Sequence, residues 1–208
     1  KKIADYEYVR QMRASIIILG PVIARYSSFK IALPGGCAIG NRSIDLHLEA
    51  LKKMGVQIKI SKGCVVATRK YSKLNSINHR FSKISVGATQ HIIMASCLAK
   101  GTTILKNCAI EPEVIDLVTF LNKCGAKISL NKRTFKIIGQ DNLNLANYDV
   151  IPDRIEAGSY ILATMATQGK LILKNLIIDH LKEPIKLFKK MGLKVKKISD
   201  NEFEFKCG

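Results

Sequence analysis

The sequence predicts an α/β protein assembled from repeated βαβαββ units, here called repeats, because three segments share one order of apolar patterns. In each segment, a run with apolar residues three or four positions apart, which is typical of a helix, ends at a glycine. These glycines are Gly55, Gly125 and Gly192, and a strand pattern follows each one at once. Self-similarity of this kind indicates supersecondary units that bury their apolar faces against one another.

The first repeat shows the reason for each element. Leu48, Leu51 and Met54 lie three residues apart and place apolar side chains on one face of a helix. Gly55 supplies the left-handed conformation that ends this helix. The repeat is therefore predicted to contain a helix over Met12 to Arg25, a strand over Phe29 to Leu33, a helix over Ser43 to Met54, and a hairpin with strands Val56 to Ile60 and Cys64 to Thr68.

The second and third repeats follow the same plan. The second is predicted to contain helices over Gly87 to Lys100 and Pro112 to Cys124, a strand over Thr102 to Leu105, and hairpin strands over Ala126 to Leu130 and Thr134 to Ile138. The third is predicted to contain helices over Arg154 to Gln168 and His180 to Met191, a strand over Lys170 to Leu173, and hairpin strands over Leu193 to Ile198 and Glu202 to Phe205. Tyr148 to Ile151 is the only candidate for an opening strand of the third repeat, and Pro152 favours extended geometry at Ile151. We therefore expect a domain crossing near Pro152.

Composition indicates a globular chain with an aliphatic core and limits the classes of partner. Among 208 residues, 47% are hydrophobic, 6% are aromatic and none is Trp. The net charge of +18 comes mainly from lysines in scattered pairs such as Lys52-Lys53 and Lys189-Lys190. Because no aromatic residues interleave with these lysines to stack bases, we interpret them as a solvated surface and expect no nucleic-acid partner. A basic cleft for an anionic substrate is the alternative.

Hydropathy and cysteine spacing favour a cytoplasmic protein without membrane partners. No apolar run reaches the ~18 residues needed to cross a bilayer, and the longest candidate, Ala14 to Ala24, is too short. The first residues lack the pattern of a secretory leader. The six cysteines form no CxxC pair and have no His at metal-ligand spacing. Most are therefore interpreted as small buried hydrophobic residues, and Cys37 is the exception.

The segment from Leu33 to Arg42, LPGGCAIGNR, is the strongest candidate for chemistry. Pro34 ends the preceding strand, and the three glycines permit backbone conformations that other residues resist. This composition is typical of a mobile loop that displays its thiol, Cys37. Arg42 and the start of the next helix would favour the thiolate, and the helix start could also hold a phosphate. An ordinary glycine-rich turn with an incidental cysteine is the alternative.

Several stretches resemble one enzyme family. Residues 12 to 47, MRASIIILGPVIARYSSFKIALPGGCAIGNRSIDLH, are similar to the catalytic-loop region of the UDP-N-acetylglucosamine 1-carboxyvinyltransferases. Further similar stretches follow in order: KISVGAT (83 to 89), LAKGTTILKNCAIEPEV (98 to 114) and IPDRIEAGSY (151 to 160). The sibling family, 3-phosphoshikimate 1-carboxyvinyltransferase, shares the repeat architecture but is not known for the PGGC loop. The resemblance implies transfer of enolpyruvate from phosphoenolpyruvate to the 3-hydroxyl of UDP-N-acetylglucosamine, the first committed step of peptidoglycan synthesis.

The resemblance also implies roles for individual residues. Cys37 would be the catalytic residue, which forms a covalent adduct with phosphoenolpyruvate and is the target of fosfomycin. The sugar nucleotide would be bound by Arg13, Arg42, Ser43, Ile44, Asp45, Leu46, Lys83, Ile84, Ser85 and Val86. Ser43 stands where the family commonly has Pro, and both residues suit a helix start.

The chemistry of these residues agrees with the implied ligand. Arg13, Arg42 and Lys83 offer cations to a diphosphate, and Asp45 offers acceptors to uracil or to hydroxyl groups. Taken alone, Lys83 would be interpreted as a surface lysine. Asp45 alone would be an acid in the first turn of a helix, where the helix dipole favours it.

By the resemblance, the fold is an inside-out α/β barrel of the enolpyruvate transferase type, incomplete in this chain. Residues 1–151 would form the catalytic-loop domain, with repeats at 11–79 and 80–151, and residues 152–208 would begin a second domain. No cofactor and no metal are expected. The chain does not match the Lys-Asn pair, the aspartate base or the later arginines of the family. We therefore expect that the missing half of the enzyme is needed for a complete site. The alternatives are a non-catalytic remnant that binds the sugar nucleotide or a polyanion, and the sibling enzyme.

Overall fold

The structure is a computed structural model that describes residues 3–4, 6–9, 11–33 and 44–207. It divides the chain into two units, Lys1–Tyr148 and Asp149–Gly208. In the described residues, the first unit contains two four-stranded sheets and the second unit contains a three-stranded sheet. Each unit has its own cluster of buried apolar residues, so each is described by itself.

The first repeat forms a four-stranded sheet in the order β1-β2-β4-β3. Its strands are β1 (Ile3–Ala4), β2 (Ser28–Ala32), β3 (Val56–Ser61) and β4 (Cys64–Arg69). Its helices are α1 (Tyr6–Val9), a 3₁₀ helix (Arg13–Ile18), α2 (Leu19–Arg25) and α3 (Asp45–Lys53). β1 pairs with β2 in parallel, whereas β2 with β4 and β3 with β4 are antiparallel. A parallel pair needs a crossover, and the helices between β1 and β2 provide it.

The second repeat has the same sheet order and strand directions, which confirms the predicted repetition. Its sheet runs β5-β6-β8-β7, with β5 parallel to β6 and the other pairs antiparallel. The strands are β5 (Asn78–Arg80), β6 (Thr102–Lys106), β7 (Lys127–Asn131) and β8 (Thr134–Ile138). The helices are α4 (Val86–Ser96) and α5 (Pro112–Lys123).

Helix α4 lies at the centre of the first unit. It contacts the 3₁₀ helix, α2, α3 and α5, and most of its residues are buried. A helix that is apolar on all sides is expected in such a position. The core around it is mainly Ile, Leu, Val and Ala, with Phe81 and Phe135 fully buried, so the predicted aliphatic core is confirmed.

The second unit contains α6 (Arg154–Ala166), β9 (Lys170–Leu173), a 3₁₀ helix (Ile178–Leu181), α7 (Lys182–Lys190), β10 (Leu193–Lys197) and β11 (Phe203–Cys207). Its sheet is antiparallel in the order β10-β11-β9. Asp153 caps α6, because its Oδ1 accepts hydrogen bonds from the backbone nitrogens of Ile155 at 2.7 Å and Glu156 at 3.3 Å.

The predicted opening strand at Tyr148 to Ile151 is wrong, since these residues are irregular. The reason is visible at Tyr148, whose hydroxyl donates to Oδ1 of Asp116 on α5 at 2.6 Å. Its ring also lies 5.4 Å from that of Phe120, measured between centroids. The segment therefore makes side-chain contacts with a helix where a strand would have formed a backbone ladder.

Two helices begin later than predicted, and proline explains both. The predicted helix Met12 to Arg25 is a 3₁₀ helix up to Ile18 followed by α2, and the predicted helix from His180 is a 3₁₀ helix followed by α7. Pro21 and Pro184 are the third residues of α2 and α7. A proline has no N–H to bond the carbonyl four residues earlier, so the preceding turn adopts the tighter winding.

Other local predictions are confirmed. Gly55, Gly125 and Gly192 have φ of 88°, 97° and 103°, the left-handed conformation expected after a helix. The lysine pairs at 52–53, 189–190 and 196–197 are exposed. The interpretation of the cysteines as buried residues is confirmed at positions 97, 108 and 124 but is wrong at 64 and 207, which are partly exposed.

Candidate functional site

The amino end of α4 is capped by Ser85. Ser85 precedes the helix in extended geometry, and its Oγ accepts a hydrogen bond from the backbone nitrogen of Ala88 at 3.3 Å. The first turn of α4 contains no acidic residue. The other backbone N–H groups of this turn have no partner within the helix, and the helix dipole is positive here. These are the properties of a phosphate-binding helix terminus.

The residues before α4 run from solvent into the core. Lys83 is exposed, and the side chain of Ile84 is 47% exposed. Ser85 and Val86 are half-buried, and Val86 packs against the core of the first unit. The lysine therefore lies two residues before the capping serine, where its charge adds to the field of the helix terminus.

The amino end of α3 carries the second predicted run. Ile44 precedes the helix, and its carbonyl accepts hydrogen bonds from the nitrogens of His47 at 3.0 Å and Leu48 at 3.1 Å. Ile44 and Leu46 are half-buried and pack against the core, whereas Asp45 is exposed. The aspartate is thus held at the surface of the first turn by two apolar neighbours.

Gly87 marks the point where the amino ends of α3 and α4 meet the 3₁₀ helix. A Cβ at Gly87 would lie 3.4 Å from Cε1 of His47 on α3 and 3.7 Å from Cδ1 of Ile17 on the 3₁₀ helix. Arg13 is the first residue of that 3₁₀ helix, which packs against α4. The backbone positions of three predicted segments therefore belong to one region of the first unit.

Two buried histidines stand behind this region. Nδ1 of His47 lies 3.0 Å from Nδ1 of His91 on α4, and the ring centroids are 5.1 Å apart. His47 is 7% exposed and His91 is 0% exposed. Burial, together with any positive charge on His47, holds the pKa of His91 well below its ordinary value. His91 is therefore neutral at physiological pH.

A model of one protein family, described as EPSP synthase (3-phosphoshikimate 1-carboxyvinyltransferase), matches residues 1–206. The chain belongs to the EPSP synthase family. Among solved structures, it is similar to the enolpyruvyl transferase NikO from Streptomyces tendae, with a TM-score of 0.81 and 20% identity over 99% of this chain and 49% of that one. EPSP synthase from Acinetobacter baumannii gives a TM-score of 0.65 with 19% identity, over 93% of this chain and 45% of that one. The predicted enolpyruvate transferase fold is thereby confirmed, and the described residues form no closed barrel.

Three curated relatives of this chain carry the name UDP-N-acetylglucosamine 1-carboxyvinyltransferase. The relative from Pelagibacter ubique (strain HTCC1062) is 47% identical over 196 residues, which are 94% of this chain and 47% of the relative. The relative from Rickettsia bellii (strain OSU 85-389) is 48% identical over 95% of this chain and 47% of its own length. The chain therefore spans about half the length of these family members.

Some predicted site residues cannot be placed. Cys37, Arg42 and Ser43 lie outside the described residues, and of Arg13 only the backbone is described. Two other thiols, those of Cys97 and Cys108, are described and are buried. Burial raises the pKa of Cys97 to about 12 and that of Cys108 to about 11, so both stay protonated at neutral pH.

The described residues contain neither a candidate metal site nor a candidate membrane-spanning helix. Within them, no group of three or more His, Cys, Asp or Glu side chains could hold a metal ion. The helices of the same residues are all too short or too polar to cross a bilayer.

Sequence reasoning missed His47 and His91. His47 belongs to the stretch that resembles the family's catalytic loop, and His91 interrupts an otherwise apolar helix pattern. A histidine within such a pattern was the available signal. Their contact could not be foreseen, because it depends on how α3 packs against α4.

Proposed function

We propose that the chain supplies the catalytic-loop part of an enzyme that transfers enolpyruvate from phosphoenolpyruvate to UDP-N-acetylglucosamine in the cytoplasm, the first committed step of peptidoglycan synthesis. The supporting observation is the 47–48% identity, over 86–95% of the chain, to relatives named UDP-N-acetylglucosamine 1-carboxyvinyltransferase. The sibling reaction on 3-phosphoshikimate is less favoured, since these relatives all carry the other name.

The proposed reaction is an addition followed by an elimination. The 3-oxygen of the sugar forms a bond to C2 of phosphoenolpyruvate and gives up its proton, while C3 gains a proton. The bond from C2 to the phosphate oxygen then breaks and C3 loses a proton, which yields the enolpyruvyl ether and phosphate. Cys37 would act as the acid that protonates C3 or as a covalent trap for phosphoenolpyruvate.

We place the diphosphate of the sugar nucleotide at the amino end of α4. The support is the capped, acid-free first turn together with the exposed charge of Lys83. Asp45, exposed at the start of α3, would accept hydrogen bonds from the uracil or from a hydroxyl group. Arg13 and Arg42 would supply further cations, and Ser43, Ile44, Leu46, Ile84 and Val86 would line the nucleotide.

A binding measurement tests this placement. Lys83→Ala should weaken the binding of UDP-N-acetylglucosamine about ten- to hundredfold, because a hydrogen bond to a charged group contributes ~1.5–3 kcal/mol. Lys127→Ala is the matched control, since it removes one exposed lysine from β7 and should leave the affinity unchanged. Isothermal titration calorimetry of the chain and both variants gives the comparison. Equal weakening by the two variants would show that only overall charge matters.

A second candidate function, binding without turnover, is favoured by the length of the chain. The chain spans 42–47% of its curated relatives, and misplaced or missing catalytic groups lower rates steeply. We expect no phosphate release from phosphoenolpyruvate and UDP-N-acetylglucosamine by the chain alone. Turnover that is abolished by Cys37→Ala would contradict this expectation. Binding of nucleic acid at physiological salt, without binding of the sugar nucleotide, would favour a polyanion-binding protein.

The role of Cys37 is tested by its reactivity. If it is the acid or trap, its alkylation rate should rise at a pH below the ordinary ~8.5 of a thiol, and fosfomycin should label it. UDP-N-acetylglucosamine should change the labelling rate, as measured by mass spectrometry of the peptide that contains residue 37. A midpoint near the ordinary value, without any effect of the sugar nucleotide, would remove Cys37 from the mechanism.

A further inference from the structure

Helix α6 is apolar enough to be buried on every side, but most of it is exposed. Its residues 157–166 include no charged side chain, and a helix that is apolar on all sides is expected inside a core. Within α6, however, only Ile161 and Thr164 are buried. Tyr160 and Leu162 are 55% and 47% exposed. The second unit by itself therefore leaves an apolar helix face without a partner.

Helix α4 is the counterpart of α6 in the second repeat. Each helix follows a capping residue, Ser85 for α4 and Asp153 for α6, and each precedes a strand of its own sheet. Counted from these caps, Ala95 of α4 corresponds to Ala163 of α6. Ala95 is fully buried, whereas Ala163 is exposed. The same position of the repeat is thus covered in one unit and uncovered in the other.

The cover of α4 comes from a neighbouring repeat. The 3₁₀ helix at Arg13–Ile18, α2 and α3 all belong to the first repeat, and all contact α4. The approach is close, because a Cβ at Gly20 of α2 would lie 2.6 Å from Cδ2 of His91. Among the described residues, α6 mainly contacts β9, β11 and the 3₁₀ helix of its own repeat. It therefore lacks the helices that a second repeat supplies in the first unit.

We propose that the exposed face of α6 is the docking surface for the apolar helices of a further βαβαββ repeat, supplied by the length that the relatives have beyond this chain. The face consists of residues three or four positions apart, which share one side of the helix: Ile155, Ser159, Leu162, Ala163 and Ala166. The chain spans 42–47% of its curated relatives, so these relatives have room for more repeats. A second copy of this chain fits the face less well, because a net charge of +18 on each copy opposes association.

A chimera tests whether the face becomes covered in a full-length protein. In the chimera, this chain replaces the 196 residues that it matches in the relative from Pelagibacter ubique (strain HTCC1062). Ala163→Cys then adds a thiol to the face with little change in size. We expect iodoacetamide to label this thiol at least ~10-fold more slowly in the chimera than in the lone chain, since a covered thiol reacts only when the interface opens. Mass spectrometry of the peptide that contains residue 163 measures both rates.

Ile172→Cys is the matched control. Ile172 is 44% exposed on β9, where it pairs with Glu204 of β11. Its counterpart on β6, Ile104, stays partly exposed although the first repeat is present. We therefore expect the thiol at residue 172 to be labelled at similar rates in the lone chain and in the chimera.

Three results would overturn the inference. The first is equal labelling of residue 163 in the lone chain and in a folded chimera. The second is protection of this residue in the lone chain at high concentration, with the mass of a dimer by light scattering, because a second copy would then be the occupant. The third applies if the chimera does not fold, and uses the lone chain co-expressed with the parts of the same relative outside the match. Co-purification should be lost in Ala163→Lys and kept in Ile172→Lys, so its absence with the unaltered chain, or its persistence in Ala163→Lys, would contradict the docking surface. These readouts need no turnover, so they are independent of the proposed reaction.

Discussion

Gly20 of α2 packs so closely against His91 of α4 that a side chain at this position would collide with it. A Cβ there would lie 2.6 Å from Cδ2 of His91 and 2.8 Å from the backbone oxygen of the same residue. Carbon atoms in favourable contact are ~3.5–4.0 Å apart, so Gly20→Ala would push α2 away from α4 by roughly 1 Å. Overpacking of this kind costs ~1–3 kcal/mol, and the better helix propensity of alanine offsets up to ~1 kcal/mol. We expect a net loss of about 1–2 kcal/mol in the free energy of unfolding.

Gly158 in α6 provides the matched control. A Cβ at Gly158 would lie 3.6 Å from Cδ2 of Leu181, which is ordinary contact. Gly158→Ala should therefore keep or slightly raise stability, by up to ~1 kcal/mol. Urea denaturation followed by circular dichroism measures both variants. With a slope of ~1–3 kcal/mol per molar urea, the loss at Gly20 would lower the midpoint by about 0.3–2 M. Hydrogen exchange of peptides from each unit assigns the change to the correct unit.

Two results would refute this reasoning. The first is a Gly20→Ala variant that unfolds at the same urea concentration as the unaltered chain, since α2 and α4 would then not be in close contact. The second comes from the double variant with His91→Ala. This truncation removes the ring but leaves the backbone oxygen, so it should relieve only part of the loss. Full additivity of the two substitutions would show that the new methyl group does not meet the His91 ring.

The remaining predictions concern a cap, a buried base and two thiols. Ser85→Ala removes the cap of α4, so it should lower the free energy of unfolding by ~1 kcal/mol and weaken the binding of UDP-N-acetylglucosamine. Asp153→Ala removes the cap of α6. It should destabilise only the second unit and leave the calorimetric titration with UDP-N-acetylglucosamine unchanged. The pKa of His91 lies well below its ordinary 6.5, so the unfolded chain takes up a proton near that pH and the folded chain does not. Stability should therefore fall as the pH drops below about 6.5, by up to ~1.4 kcal/mol per pH unit until the folded pKa is reached, and His91→Asn should flatten this slope in urea titrations between pH 8 and 5. The pKa of Cys97 is raised to about 12 and that of Cys108 to about 11. Iodoacetamide at pH 8 should therefore label neither thiol before urea unfolds the chain. Rapid labelling of either thiol, as detected by mass spectrometry, would contradict their burial.

Element types could be predicted because the same local pattern recurs. Gly55 shows this, since a left-handed residue after a helix and before a strand needs only the local sequence to be recognised. Helix starts were less accurate where Pro21 and Pro184 stand in the first turn. A 3₁₀ helix also places residues i and i+3 on one side, so a spacing of three does not distinguish it from an α-helix. The irregular path at Tyr148 depends on a hydrogen bond to α5 that no local pattern reveals.

The candidate site was predictable only in part. Residues such as Lys83 and Ser85 were proposed by resemblance and stay predictions, whereas the helix cap made by Ser85 is consistent with its residue type. The contact of His47 with His91 could not be inferred, because it joins residues 44 positions apart through packing of two helices. Cys37 stays a prediction, since it lies outside the described residues.

The two four-stranded sheets have a consequence for the order in which the first unit assembles. Each hairpin is closed by a two-residue turn, between Ser61 and Cys64 or between Asn131 and Thr134. The parallel pairs join residues much further apart, such as Asn78 with Ile104 across α4. Closing the longer loop loses more chain entropy, and this loss is offset only when the crossover helix packs. The central pairing of each sheet closes a loop at least as long, such as Thr102 with Ile138. We therefore expect each hairpin to form first and the other two pairings of its sheet to wait for the helices to pack.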